Sequence, residues 1–171
     1  MADDREWIVA AARRYERPLL AYVRRLLGDP DRGRDVVQDA FLQLCRQDRA
    51  TVEPHLAAWL FAVCRRRAVD VLRKENRMTT LSADPPAAAT GPAEALETKD
   101  AAQAVLARLA GLPANQQEAV RLKFQNQFSY REIGEVMGLS ESHVGVLIHL
   151  AMKKLRQAFA EPLQSPAGVP S

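Results

Sequence analysis

The sequence predicts an all-α protein, two small helical domains joined by a flexible linker, and three observations carry that expectation. Aromatics make up only 6% of the 171 residues, while Ala, Leu and Arg dominate, a mix that favours helix. Apolar residues recur at three- and four-residue spacings, and no segment alternates in the manner of a strand. Between two such periodic regions, residues 78–94 (MTTLSADPPAAATGPAE) hold three prolines and a glycine without any period, which marks a linker. The expected organisation is therefore residues 1–77 as one domain, 78–101 as a flexible acidic linker, 102–160 as a second domain, and 161–171 as a disordered tail.

The first helix is expected from about Asp3 to Leu27, with Trp7, Ile8, Ala11, Tyr15, Leu19, Tyr22, Val23 and Leu26 at helical spacings. Pro18 lies inside it, where a missing N–H and a ring clash should kink or break it. Gly28-Asp29-Pro30-Asp31 is a stop followed by a new N-cap. A second helix should reach about Arg46, its stripe formed by Val36, Val37, Ala40, Phe41 and Leu44. Pro54 suits the first turn of a third helix ending near Asn76, with Leu56, Trp59, Leu60, Val63 and Leu72 as its stripe. Beyond the linker, periodicity returns at Ala95–Ala110, and Gly111-Leu112-Pro113 opens a helix to about Gln125.

Next comes Ser129-Tyr130-Arg131-Glu132, a capping box in which the Ser hydroxyl and the Glu side chain serve backbone donors reciprocally. The short helix it starts should end at Gly138, which takes the left-handed conformation without penalty, and Ser140 should cap the following helix. Ile133, Met137, Leu139, Val144, Leu147 and Ile148 fall inward, with Gly134 where two helices cross closely. Helix, glycine turn and helix at this spacing predict a helix-turn-helix; an ordinary helical hairpin is the alternative. Its second helix would turn Ser140, Glu141, Ser142, Gly145, Val146 and His149 outward, followed by Lys153, Lys154 and Arg156. Ser142 and His149 can bond base edges and Val146 can meet a thymine methyl. Ser140 and the trailing cations suit phosphates.

Charge points the same way. Residues 1–77 hold sixteen Lys and Arg against twelve Asp and Glu, residues 78–101 one against four, and residues 102–171 seven against five. Basic ends around an acidic middle suit a polyanion gripped at two places, although a solvated surface would show the same balance. On the third helix Arg65, Arg66, Arg67, Arg73 and Lys74 cluster around Asp70, with Trp59 and Phe61 one turn upstream. Cations beside aromatics suit single-stranded nucleic acid; the competing readings are a solvated face and a core position for Trp59, and Asp70 is expected to pair with a neighbouring Arg rather than act as a general base.

Other classes find little support. The chain has two cysteines, Cys45 and Cys64, each inside an apolar helical pattern and expected as inert core residues rather than a disulfide or metal set. No metal, cofactor or small-molecule substrate is expected: there is no phosphate-cradling glycine loop and no nucleophile beside a base, and His55, His143 and His149 are scattered. The protein is thus expected to be a DNA-binding transcription factor and not an enzyme. With no basic start plus apolar run at MADDREW and no apolar stretch of spanning length, it is expected in the cytoplasm without membrane insertion.

Four stretches, YERPLLAYVRRLLGD, DVVQDAFLQLCR, AWLFAVCRRRAVDVLRKENR and LPANQQEAVRLKFQNQFSYREIGEVMGLSESHVGVLIHLAMKKLR, together resemble the extracytoplasmic-function class of bacterial sigma factors. They stand in family order and cover roughly residues 10–77 and 102–158. The resemblance implies that the helix holding Asp35, Gln38, Asp39, Phe41 and Leu42 docks on the clamp helices of core RNA polymerase. It implies that the loop and helix from about Gln47 through Lys74 melt and read the −10 promoter element, that the helix-turn-helix reads the −35 element, and that the linker threads the RNA exit path. Two positions depart from the family pattern. Arg66 stands where Asn is frequent, and Gly145, Val146, Leu147 and Leu150 replace a Lys-Ser-Arg run and a further Arg. Val146 and Leu150 are therefore expected to face a protein, an anti-sigma factor or the polymerase flap, as much as DNA. The rival readings are a stand-alone helix-turn-helix regulator and a sigma-like module that sequesters a regulator.

Overall fold

The computed structural model describes residues 2–79 and 100–160. The described residues are helical and contain no strand: α1 (Ala2–Leu27), α2 (Pro30–Leu44), α3 (Arg49–Val52), a 3-10 turn (Glu53–His55), α4 (Leu56–Thr79), α5 (Asp100–Ala110), α6 (Ala114–Phe124), α7 (Tyr130–Met137) and α8 (Glu141–Ala160). Helix extends through 78–79 and begins again at Asp100, so the expected linker is shorter at both ends; its remainder, 80–99, and the expected tail, 161–171, lie outside the described residues. Two compact units are present. One holds α1 to α4 together with Glu132–Leu139, and the other holds α5, α6, the segment through Arg131, and α8.

In the first unit α1 packs on α2 and on α4, and α2 packs on α4. Asp3 and Asp4 in its first turn and Arg24 and Arg25 in its last complement the helix dipole. Contrary to the expected break, α1 runs on through Pro18. A proline inside a helix costs about 3 kcal/mol, but Ala11 before it and Leu19, Tyr22 and Val23 after it are all buried, and packing on both sides outweighs the lost bond. Gly28, at φ +69°, ends the helix. Asp29 then caps α2, its carboxylate accepting from the N–H groups of Asp31 and Arg32, with Pro30 at a position that needs no N–H donor. Gly33 is buried where α2 meets α1: a Cβ there would lie 3.4 Å from Cγ of Arg24.

Between α2 and α4 the structure departs from expectation. The helix ends at Leu44 and Cys45 is exposed, because the chain turns away from the core once the stripe is complete; only Cys64 is a core thiol. Asp48 caps α3, accepting from the N–H of Thr51 at 3.1 Å and from its hydroxyl at 2.8 Å. Pro54 lies in the 3-10 turn, and α4 begins at Leu56. Leu60, Phe61, Val63, Cys64 and Ala68 then form the buried side of α4, with the Phe61 and Tyr22 rings tilted at 5.1 Å. Phe61 is thus a core residue and not a stacking surface for bases. Burying such a ring contributes about 1.5–3 kcal/mol.

In the second unit α6 and α5 pack on α8, around Leu109, Leu112, Val120, Ala151 and Leu155, with Met152 alongside. The Arg108 guanidinium donates to the carbonyl of Ala158 and lies 4.4 Å from the Phe159 ring centroid. A cation on the last carbonyls satisfies a helix end that has no intrahelical donors. No helix among the described residues is long and apolar enough to cross a membrane, and none of them form a cluster of three or more His, Cys, Asp or Glu able to hold a metal.

Candidate nucleic-acid and polymerase interface

The helix α4 has two opposed faces. Its apolar side is closed into the first unit, while Arg66, Arg67, Asp70, Arg73 and Lys74 are exposed along the other. Spacings of one, four, seven and eight residues keep these on one helical face. Arg65 and Trp59, at the border, are half-buried. Trp59 is thus neither closed into the core nor fully open, between the two readings its sequence position allowed. The expected pairing of Asp70 with a neighbouring Arg is not found among the described residues, and the nearby Arg67 pairs with Asp39 instead.

That pairing crosses to α2. Nε of Arg67 lies 3.3 Å from Oδ2 of Asp39, and Nε2 of Gln43 donates to the same oxygen at 2.9 Å. Arg32 of α2 and Glu75 of α4 form a second ion pair. Between them runs an open groove lined by Asp35, Gln38, Asp39 and Leu42 from α2 and by Arg67, Asp70, Val71 and Lys74 from α4. The geometry thus brings together residues that the family resemblance assigns to two different partners. Phe41 does not line the groove and is half-buried, whereas Leu42 is 56% exposed. Beneath, burial and then the nearby Asp39 carboxylate push the Cys64 thiol up to about 12, so it stays protonated and unreactive.

A second polar cluster was not singled out by sequence. Arg49, at the start of α3, forms a two-pronged pair with Glu53, Nε to Oε2 at 3.0 Å and Nη2 to Oε1 at 3.1 Å. Its Nη1 donates to Asp3 of α1 at 2.8 Å, and its guanidinium carbon lies 5.6 Å from the Trp7 ring centroid. The hydrogen bond to Glu53 holds this guanidinium above its ordinary pKa. Only the i, i+4 spacing of Arg49 and Glu53 was visible in the sequence; the partners on α1 lie more than forty residues away.

Further along the chain, α7 begins directly after Ser129 and ends at Gly138, whose φ is +68°. Leu139 N–H bonds back to the carbonyl of Gly134 at 3.0 Å. Leu139 is half-buried, while Ile133, Gly134 and Met137 are buried as expected. Ser140 caps α8, its hydroxyl accepting from the N–H of His143 at 3.2 Å. Ser140, Glu141, Ser142, Val146, His149, Lys153 and Lys154 are exposed, and Val144, Leu147, Ile148, Ala151 and Leu155 are buried. Gly145 is not open as expected: the Tyr130 ring covers it, with Cε2 3.6 Å from where a Cβ would stand. The Lys123 ammonium in turn lies 5.2 Å from the Tyr130 ring centroid.

Models of two segments of one family match the chain: sigma-70 region 2 over residues 11–78 and sigma-70 region 4 over residues 102–155. The chain belongs to the sigma-70 family. Relatives of this sigma factor are named as extracytoplasmic-function members. SigM of Bacillus subtilis (strain 168) is 24% identical over 154 residues, covering 85% of this chain and 90% of its own length. SigK of Mycobacterium sp. (strain KMS) is 29% identical over 123 residues, covering 66% of this chain and 62% of its own. The fold is shared with the sigma factor RpoE of Bartonella quintana, solved with the anti-sigma factor NepR, at a TM-score of 0.65 and 21% identity, covering 96% of this chain and all of that one.

Proposed function

We propose that this sigma factor, which binds core RNA polymerase and directs promoter-specific transcription initiation, divides the task between α2, α4 and α8. The exposed edge of α2, with Asp35, Gln38, Asp39 and Leu42, docks on polymerase, and Phe41 shapes that edge from behind. Along α4, Arg65, Arg66, Arg67, Arg73 and Lys74 hold the phosphates of the opened −10 strand, and the accessible edge of Trp59 offers a surface for an unpaired base. Extruding a base from the duplex costs a few kcal/mol, and stacking on an aromatic returns about 1–3 kcal/mol. Ser140, Ser142, Val146, His149, Lys153 and Lys154 of α8 meet the −35 duplex. The chain supplies no bond-breaking chemistry; that belongs to the polymerase it accompanies in the cytoplasm.

The observation that carries this reading is the two-faced α4, basic and exposed on one side and beside the α2 groove. Reconstitution with bacterial core polymerase, followed by genome-wide mapping of transcript starts, tests it. A shared pair of upstream motifs is the expected result, and transcription without specific starts overturns the reading. A stand-alone regulator would bind its promoter tightly without polymerase.

One observation favours a second role for α8. Residues 141–150 hold no Lys or Arg, and Val146 and Leu150 are 54% and 40% exposed. On this reading the helix also meets a protein partner such as an anti-sigma factor. If Val146→Asp and Leu150→Asp leave both regulator binding and promoter activity intact, this second role is excluded.

A further inference from the structure

The segment joining α2 to α4 is short, polar and mostly exposed, yet it is fastened at one point. Arg46, Gln47, Asp48, Ala50, Thr51, Pro54 and His55 face solvent, and Val52 alone plugs the segment into the core. Arg49 uses every property of a guanidinium here. Three of its N–H groups engage two carboxylates, Glu53 within the segment and Asp3 on α1. Its flat face lies over Trp7, also on α1. A planar fork that is already shaped for bidentate pairing gives orientation that an ammonium does not, and a cation over an indole adds to it.

We propose that Arg49 is a positioning residue for promoter opening: it pins the segment between α2 and α4 to the first turns of α1, so that the segment keeps the shape that receives an unpaired −10 base. The proposal rests on the assignment of this segment and α4 to the −10 element. Asp3 and Trp7 of α1 thereby act on a step performed elsewhere. Loss of the anchor acts on capture of the opened strand and leaves docking on polymerase untouched, because the α2 groove residues are not part of the anchor.

The test uses holoenzyme assembled from the full chain and bacterial core polymerase. The probes are fluorescent single-stranded oligonucleotides, non-template strand, taken from the −10 positions of promoters at which that holoenzyme starts. Arg49→Ala is expected to weaken oligonucleotide binding roughly tenfold or more, the scale of a misplaced contact surface, with core affinity within twofold of the parent. Arg49→Lys, which keeps the charge without the fork, recovers part of the loss and carries the test if Arg49→Ala does not fold. Trp7→Ala weakens binding less, and adding it to Arg49→Ala brings little further loss, as expected for groups acting as one unit. Oligonucleotide affinity at the parent level in both Arg49 variants overturns the proposal. So does a loss of core affinity equal to the loss on the oligonucleotide. A parent holoenzyme that binds the oligonucleotides no better than core alone removes the −10 assignment itself, and the proposal with it.

Discussion

Within ten residues of α4, 65 to 74, stand five Lys and Arg side chains; within the first ten of α8, 141 to 150, stand none. Both helices belong to segments through which the family handles promoter DNA, and their surfaces differ in kind. The outer face of α4 is an electrostatic grip, suited to phosphates whatever the sequence between them. With its cap Ser140, the outer face of α8 offers two serines, two histidines, an acid and apolar side chains, with cations only from Lys153 onward. One helix holds, and the other contributes shape and a few polar tips. On the proposed reading, promoter selection depends on what α8 and the segment before α4 exclude, while affinity comes from α4.

The comparison breaks first at α4. Arg66→Glu together with Lys74→Glu is expected to abolish promoter opening and to reduce the slope of log affinity against log salt by about 2, measured with holoenzyme on a promoter fragment. An unchanged slope would move the phosphate grip off this face. The opposite side of α4 is sharpened by pH. In the unfolded chain the Cys64 thiol loses its proton above its ordinary 9.0, whereas the folded core keeps it up to about 12. The folded state then binds more protons, so stability falls as pH rises from about 9 to 12, by up to about 1.4 kcal/mol per pH unit. Denaturant melts of the parent and Cys64→Ala across that window should diverge accordingly, with the variant flatter.

Smaller effects probe the turn before α8 and the helix itself. Gly138 sits at φ +68° with nothing near its missing Cβ, so Gly138→Ala pays only the backbone cost of the left-handed region, about 1–2 kcal/mol; thermal unfolding measures it, and Gly138→Asn should lose less. The smallest change is Val146→Arg. If this face of α8 approaches DNA, the added cation raises the salt slope by about 1 and improves binding a few-fold at low salt. If the slope stays put, α8 lies away from the phosphates.

Local chemistry makes several of these elements legible in the sequence. Asp29 before Pro30, Ser140 before Glu141, and Gly28 and Gly138 at helix ends satisfy or release backbone groups in ways that depend on a few neighbouring residues. The exposed basic side of α4 and the outward positions of α8 followed from helical period alone. What escaped was set by contacts distant in sequence. Pro18 remains helical because buried residues on both sides of it are packed. By sequence Phe61 stands with Trp59 beside the cations, but packing against the Tyr22 ring holds it in the core. Cys45 lies one residue past the end of α2, where an apolar pattern no longer implies burial. Gly145 points outward by period yet is covered by Tyr130, and the partners of Arg49 on α1 lie more than forty positions away.

The contrast between the two cysteines has a practical outcome. Cys64 is sealed and protonated, while Cys45 stands in the open at the end of α2, just before the segment that Arg49 anchors. A maleimide dye added to the native protein will therefore mark one site without mutagenesis, and on the proposed assignments that site lies where a probe reports, in real time, the arrival of polymerase and of the opened strand.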